Sequence, residues 1–578
     1  MNKIYPALLA ASLCVLTACD EERIIDDESG DSAVAYGEVL TPDFVTEIAD
    51  WDGTFASDAD TQGDDEDIYH EINSWTESVS VNFNGEQAEV TVSSPLILVH
   101  TDGAYVSVDM LTNSVAGVAV TVTGSTDNGA LKFYGEKKFK LTLDGAHIAS
   151  QKGAAINSQC KKRVFLHLAP GTVNTIADPA DYAEEPYYLA SQNEDRKGCF
   201  FSEGNVVVSG TGALSIVAKN RHALATDGCL VVRPGATIVV AETAKNAIHV
   251  KGDSKDGIGV WIKGGYLHLT TAAAAGKGIK TDLGLTMTGG RVVVRTSGDA
   301  VYDEEEEDTS SAAAISTGGS VIISGGSLQL GSEGVGAKGF NVTGDFRFTG
   351  GSVDVWTRGA RYAYTADLTS VAKAIKCDGN AVISGGSLNA ASLGGDSGCD
   401  ALDAKKNVTV SGGTVRLYAS EDALSATSAI NLLGGDLLAC ASGRAGITTR
   451  GTVTISGGTV RAYGGTAAGI AFDKTALLKV TGGNLLALGC GSAATAANCI
   501  FTQCAAQTTG LDVAQAAVVA VSSASGNELL SGVAPAAYQG ATLLVSSPDL
   551  TVNAAYTLSV AGRSVASFTP DAYDLINF

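Results

Sequence analysis

Short alternations of apolar and polar residues recur along the middle of the chain, and each follows a pair of glycines. Arg291-Val292-Val293-Val294, Ser327-Leu328-Gln329-Leu330 and Thr414-Val415-Arg416-Leu417 are three of them. Period two marks a half-buried strand. The glycine pairs begin at Gly264, Gly289, Gly325, Gly350, Gly385, Gly412, Gly434, Gly457 and Gly482, with spacings of 25, 36, 25, 35, 27, 22, 23 and 25. A second marker keeps step with them. A small residue followed by an apolar one lies ten positions before the pair, the apolar member being Ile279, Ile315, Phe340, Ile375, Leu402, Leu424 or Ile447. The two long spacings are one period plus an insertion of about ten residues. Both insertions fall between the strand after a glycine pair and the next marker.

These observations predict a coil of two or three short strands with tight glycine corners. One coil cannot bury its own apolar face, but a stack of coils can. Parallel pairing from coil to coil then gives an all-β fold, a parallel β-helix, over residues 71–505. A β-propeller would need about forty residues per blade, and leucine-rich repeats would need leucine at fixed offsets. The repeat fades in 506–578, where Ala517-Val518-Val519-Ala520-Val521 and Ala541-Thr542-Leu543-Leu544-Val545 predict a small β-domain or cap over the open end of the stack.

Charge changes the picture at the N-terminus. The whole chain has a net charge of −25, which argues against a nucleic-acid partner because phosphate binding needs a cationic face. Eighteen acidic residues and the single basic Arg23 lie within residues 20–67. With few apolar residues to collapse it, the 20–70 segment reads as an acidic, disordered tether. Before it, Lys3 and an apolar stretch lead to Leu16-Thr17-Ala18-Cys19, a secretory signal over 1–19. That end resembles the lipobox of bacterial lipoproteins, which implies lipidation of Cys19. In enterobacterial lipoproteins an aspartate at the next position, here Asp20, implies retention in the inner membrane. The acidic Asp20-Glu21-Glu22 resembles instead the surface-export signal of Bacteroidota lipoproteins, the preferred reading. It implies an outer-membrane lipoprotein exposed at the cell surface. No run is long and apolar enough for a membrane-spanning helix. Nine cysteines follow the signal without metal spacing and read as small core residues, although Cys490, Cys499 and Cys504 are close enough in sequence to permit a disulfide.

Candidate chemistry collects around the markers. The residue two before each marker runs Lys277, Ala313, Lys338, Lys373, Asp400, Asp422, Ala445. The residue after it runs Lys280, Ser316, Asn341, Lys376, Asp403, Ser425, Thr448. Asp400, Asp403, Glu421 and Asp422 therefore stand on consecutive coils, with Asp396 nearby. Stacked carboxylates repel unless a cation neutralises them, and calcium suits such an oxygen set. The insertion at 302–308 is almost wholly acidic. The other, Trp356-Thr357-Arg358-Gly359-Ala360-Arg361-Tyr362-Ala363-Tyr364, mixes aromatics with arginines. Rings can stack on sugars and arginine can pair with uronate carboxylates. A carbohydrate groove between the insertions is expected, using Trp356, Arg358, Arg361, Tyr362 and Tyr364 with Lys373 and Lys376.

Several segments together resemble the bacterial carbohydrate-binding β-helix family whose clostridial member binds cellulose and pectic polymers and which is related to pectate lyases. They are Phe139-Lys140-Leu141-Thr142-Leu143-Asp144-Gly145, Asn193-Glu194-Asp195, Lys197-Gly198-Cys199-Phe200-Phe201-Ser202-Glu203-Gly204, the Ser-Gly-Gly turns, Ser546-Ser547-Pro548-Asp549-Leu550 and Tyr556-Thr557-Leu558-Ser559-Val560. The resemblance covers about residues 75–578. It implies a right-handed β-helix, calcium ions and an acidic or cellulose-like polysaccharide partner. In those relatives calcium carboxylates come from Asp-Gly-Ile turns. Here that form survives only as Asp400-Ala401-Leu402 and Asp422-Ala423-Leu424. The expected function is therefore surface-anchored, non-catalytic polysaccharide binding, with no catalytic residue assigned. A uronate lyase is one alternative: it needs a metal beside the uronate carboxylate and a base for the C5 proton, for which Lys373 and Lys376 are candidates. An adhesin or structural rod is the other.

Overall fold

A computed structural model describes residues 42, 44–110, 117–184, 194–252, 257–465, 475–490, 495 and 497–578. The signal segment, Cys19 and the acidic stretch up to residue 41 lie outside the described residues. The described chain is all-β. Its largest sheets have 31 and 14 strands, and its helical content is a single three-residue turn, His70–Ile72.

Each repeat places its marker strand in the 14-stranded sheet and the two strands flanking its glycine pair in the 31-stranded sheet. The marker residues pair with one another, parallel and in register, in the order Ile279, Ile315, Phe340, Ile375, Leu402, Leu424, Ile447. The strand ahead of the glycines does the same through Leu285, Val321, Phe346, Ala381, Val408, Ile430 and Val453. Each column stacks like on like, so the apolar members form one continuous buried core. Parallel strands can share such a core because each return crossover supplies the next layer.

The glycine pairs have two separate physical reasons. The second glycine of all nine pairs takes a positive φ of 74–88°, where a Cβ is strained. A Cβ on the first would meet the backbone of the previous repeat, as at Gly289 and Gly325, which would sit 2.7 and 2.5 Å from the carbonyls of Lys263 and Thr288. One position turns the chain and the other lets the layers close up.

The stack begins earlier than the glycine pattern suggests. Ala104–Met110 already pairs in parallel with Gly129–Gly135, and that strand with Ile156–Ser158. After Ala505 the order changes. Tyr538–Ser546 runs antiparallel to both Leu477–Gly489 and Ala505–Val513. A four-stranded antiparallel sheet of Glu528–Val533, Val518–Ser523, Tyr556–Val560 and Arg563–Phe568 accompanies it. Its apolar face joins Tyr463, Leu486 and Leu488 in a second core outside the stack. All nine cysteines beyond the signal are free thiols, Cys490, Cys499 and Cys504 included.

Residues 44–70 differ from the expected free tether. Asp58 accepts hydrogen bonds from the amides of Gly235 at 2.9 Å and Gly265 at 2.7 Å. Asp60 pairs with Arg233 at 2.6 Å, and Glu71 takes the same guanidinium in bidentate fashion at 2.9 and 3.0 Å. Ile48 is buried in the second core, with Phe44 and Trp51 packed against it. Charge counting alone sees repulsion in this segment. It does not see that corner amides and one buried arginine satisfy these acids individually.

Candidate functional site

The outward face of the 14-stranded sheet carries the two marker-flanking columns. Lys277, Ala313, Lys338 and Lys373 are consecutive partners in one. Lys280, Ser316, Asn341, Lys376 and Asp403 are consecutive partners in the other. Parallel pairing brings like positions within one strand spacing, about 4.8 Å. A basic stretch thus passes into an acidic one along one wall.

The insertions cover the basic stretch. The first forms a hairpin of Val301–Asp303 with Asp308–Ser310, the second of Tyr362–Ala363 with Thr369–Ser370. They arise two repeats apart and lean together over the Lys338 strand. Lys277 Nζ donates to Ser310 Oγ at 3.2 Å, and Lys338 Nζ donates to Ser370 Oγ at 2.6 Å. Burial, with neighbouring lysines adding repulsion, lowers the ammonium of Lys277 to about 8 and that of Lys338 to about 7. Tyr302 and Tyr364 stack with centroids 4.0 Å apart. The expected groove between the insertions is closed by that contact.

Lys373 differs from its neighbours. Its Nζ donates to Asp400 Oδ2 at 2.7 Å and to Asp403 Oδ2 at 2.6 Å. Burial opposes its charge, but the two carboxylates outweigh burial and hold the ammonium well above the ordinary lysine range. Asp400 Oδ1 accepts the Asp422 amide at 3.2 Å, and Asp422 Oδ1 accepts the Ala445 amide at 3.0 Å. Arg444 pairs with Glu421 at 3.2 Å and with Asp422 at 3.1 Å. Burial, then the nearby Asp400 charge, raises the Asp422 carboxyl to about 6. This donor set does not fit a calcium ion. Calcium needs six to eight oxygens, and those of Asp400, Asp403, Glu421 and Asp422 already take an ammonium, a guanidinium and two amides. Among the described residues no group of three or more His, Cys, Asp or Glu side chains is placed to hold a metal.

The expected sugar-stacking set is also divided. Trp356 is only 1% exposed. It fills the space above Gly331, where a Cβ would come within 2.3 Å of the indole. Arg358 lies over its ring at 4.6 Å and donates to the carbonyl and hydroxyl of Thr46 at 3.0 and 2.8 Å. Trp356 and Arg358 are therefore engaged with the N-terminal segment. Arg361 donates its amide to Asp396 at 2.7 Å and its guanidinium to Thr369 at 3.3 Å. Tyr362 is half-buried on its hairpin, and Tyr364 is 55% exposed. Lys376, half-buried, pairs with Asp378 at 3.0 Å.

Sequence reasoning assigned no role to a cleft of about 580 Å³ farther toward the N-terminus, lined by Asp181, Tyr182, Glu194–Lys197, Asn220, Arg221 and Lys245. Of its lining residues, Glu194 is fixed by Lys132, an ion pair of 2.6 Å in which both side chains are almost fully buried. Tyr134 donates to the other oxygen of Glu194. The available signal was Lys132, a charge in the otherwise apolar alternation of Gly129–Gly135.

The sequence model of a family described as carbohydrate-binding domain-containing protein matches residues 102–254, 235–360 and 362–446. The chain belongs to that family. The matched residues begin in the early parallel strands and run through most of the stack, including both hairpins, the lysine columns and the cleft. A carbohydrate-binding domain-containing protein of Acetivibrio thermocellus is 27% identical over 124 residues, which are 21% of this chain. The match spans 42% of that relative's length. A solved structure, a polysaccharide lyase-like protein from C. thermocellum in its gadolinium derivative, is 22% identical with a TM-score of 0.32 and covers 46% of this chain and 96% of its own.

Proposed function

We propose that this protein is a non-catalytic polysaccharide-binding protein built on a right-handed parallel β-helix. Its lipid-modified Cys19 would hold it at the outer membrane, exposed at the cell surface, and its partner would be an acidic or cellulose-like glycan. The observation that carries the reading is the family match across the repeat stack. In its parallel, in-register layers the column Lys280, Ser316, Asn341 and Lys376 repeats a polar position at a fixed spacing, which suits a polymer that repeats its own hydroxyls and charges. A lyase would need a base open to its substrate. Lys373 is held as an ammonium between two carboxylates, and Lys376 is paired with Asp378. Calcium, implied by the resemblance, is not required at Asp400 because Lys373 supplies the neutralising charge.

The test is retention of the full chain, in mild detergent, on a panel of insoluble and gel-immobilised polysaccharides, with calcium and with chelator. Retention that chelator does not alter is the expected result. Retention that chelator abolishes would return calcium to the site. No retention on any polymer, or release of unsaturated products, would reject the proposal.

A further inference from the structure

We infer that the cleft between the 179–184 segment and the turns leading into His222–Thr226 and Ile248–Val250 is a subsite for an anionic sugar unit, one bearing a carboxylate or a sulfate. The inference rests on the polysaccharide-binding reading and names the ligand class and the residues for it.

Several charges in the cleft are already matched. Glu194 is matched by Lys132. Lys197 pairs with Asp195 at 3.0 Å and Asp227 at 2.6 Å. Arg196 donates to the Ala183 carbonyl at 2.6 Å. Asp181 is an exposed carboxylate of the lining, and Arg221 and Lys245 remain as its cations. Both are exposed, and neither side chain makes a hydrogen bond or ion pair among the described residues. The Lys245 amide donates to the Arg221 carbonyl at 3.0 Å, so the two cations project from adjacent layers of the stack. In a chain with a net charge of −25, two adjacent unmatched cations beside a cleft are a local reversal of sign. Two cations against the one carboxylate of Asp181 leave a positive surplus, which attracts an anion.

The walls are also built in advance. Tyr182 donates to Asp178 at 2.5 Å, and the other oxygen of Asp178 accepts the Lys219 amide at 2.7 Å. Asn220 donates to the Ala180 carbonyl at 2.5 Å. These bonds clamp the 178–183 segment onto the turn that presents Arg221. A site fixed before binding avoids the ordering cost that weakens surface contacts. The guanidinium of Arg221 can grip two oxygens of a carboxylate or sulfate, and the ammonium of Lys245 can serve either as a point charge. Asp181, exposed in the lining, can accept from sugar hydroxyls. The volume falls within the range of small-molecule sites.

The test is affinity electrophoresis of the full chain in gels containing polygalacturonate, dextran sulfate, neutral dextran or hydroxyethylcellulose. Wild type is compared with an Arg221→Gln/Lys245→Gln variant. A Lys405→Gln/Lys406→Gln variant, with two exposed lysines changed elsewhere, removes the same charge. Wild type should be retarded by at least one anionic gel, and the cleft variant should bind it about tenfold or more weakly at an unchanged melting temperature. The control variant should keep wild-type affinity. The gel that retards identifies carboxylate or sulfate. Equal retardation of wild type and cleft variant, or equal loss in the control, overturns the subsite. Retardation of wild type by neutral gels alone overturns the subsite and leaves polysaccharide binding standing. No retardation in any gel overturns both.

Discussion

The rings of Tyr302 and Tyr364 lie 6° from parallel with their centroids 4.0 Å apart, although they belong to hairpins inserted two repeats apart. This contact joins the hairpins into one cover over Lys338. Offset-stacked aromatic pairs contribute about 0.5–1.5 kcal/mol beyond their buried area. Tyr364→Ala should therefore free the acidic tip at 303–308 without unfolding the stack. Limited proteolysis should cut that tip faster in the variant, while the melting temperature moves by a few degrees at most. Unchanged proteolysis would show that the hairpins hold their places independently.

Lys373 neutralises Asp400 and Asp403, whose side chains are only 7% and 13% exposed. Removing one partner of a buried ion pair typically costs about 3–5 kcal/mol, because the other charge stays behind. Lys373→Met should lose about that much in denaturant melts. Adding Asp400→Asn and Asp403→Asn should recover most of it. A Lys373→Met protein as stable as wild type would mean that another cation reaches the acids.

Lys338 should make stability depend on pH in an alkaline window. Its folded-state value is lowered to about 7 from an ordinary 10.5. Above 10.5 both states are neutral there. As pH falls from 10.5 to 7, the unfolded chain gains a proton that the folded chain resists, and stability is lost; below 7 the loss levels off. Lys338→Met should remove this dependence. Its advantage over wild type should grow by about 2 kcal/mol between pH 9 and pH 7 and change little below. The Ser370 hydroxyl keeps a partner in the variant, since it also donates to the Gly336 carbonyl at 2.8 Å. Parallel pH profiles for the two proteins would contradict this account.

Trp356 is placed to stabilise rather than to bind. Trp356→Ala should cost about 3–5 kcal/mol, as deleting a buried aromatic does, and should loosen the 44–48 segment that Arg358 tethers at Thr46. Faster amide exchange in 44–58 would report the loosening. Polysaccharide affinity of the folded variant should match wild type; a selective loss of affinity at full stability would restore the indole to a binding role.

The repeat was legible in the sequence because its causes are local. A glycine at positive φ, an apolar residue pointing inward and a fixed count between them are properties of single positions. They recur at Gly290, Gly326 and Gly351 and at Ile279, Ile315 and Phe340. The marker columns were legible for the same reason: once layers are parallel and in register, sequence offset becomes spatial adjacency. Lys373 next to Asp400 follows from that rule alone.

Only the tertiary structure decided what each side chain meets outside its own column. Residues 44–70 carry a charge pattern that favours solvent, yet Arg233 and the amides of Gly235 and Gly265 hold it against the stack. Trp356 carries the chemistry of a sugar platform, yet Arg358 and the N-terminal segment cover it. The corner cleft depends on Lys132, Glu194, Arg221 and Lys245, which no local period links. Periodicity fixes contacts between equivalent positions, whereas contacts between unlike segments depend on geometry that appears only when the chain has closed on itself.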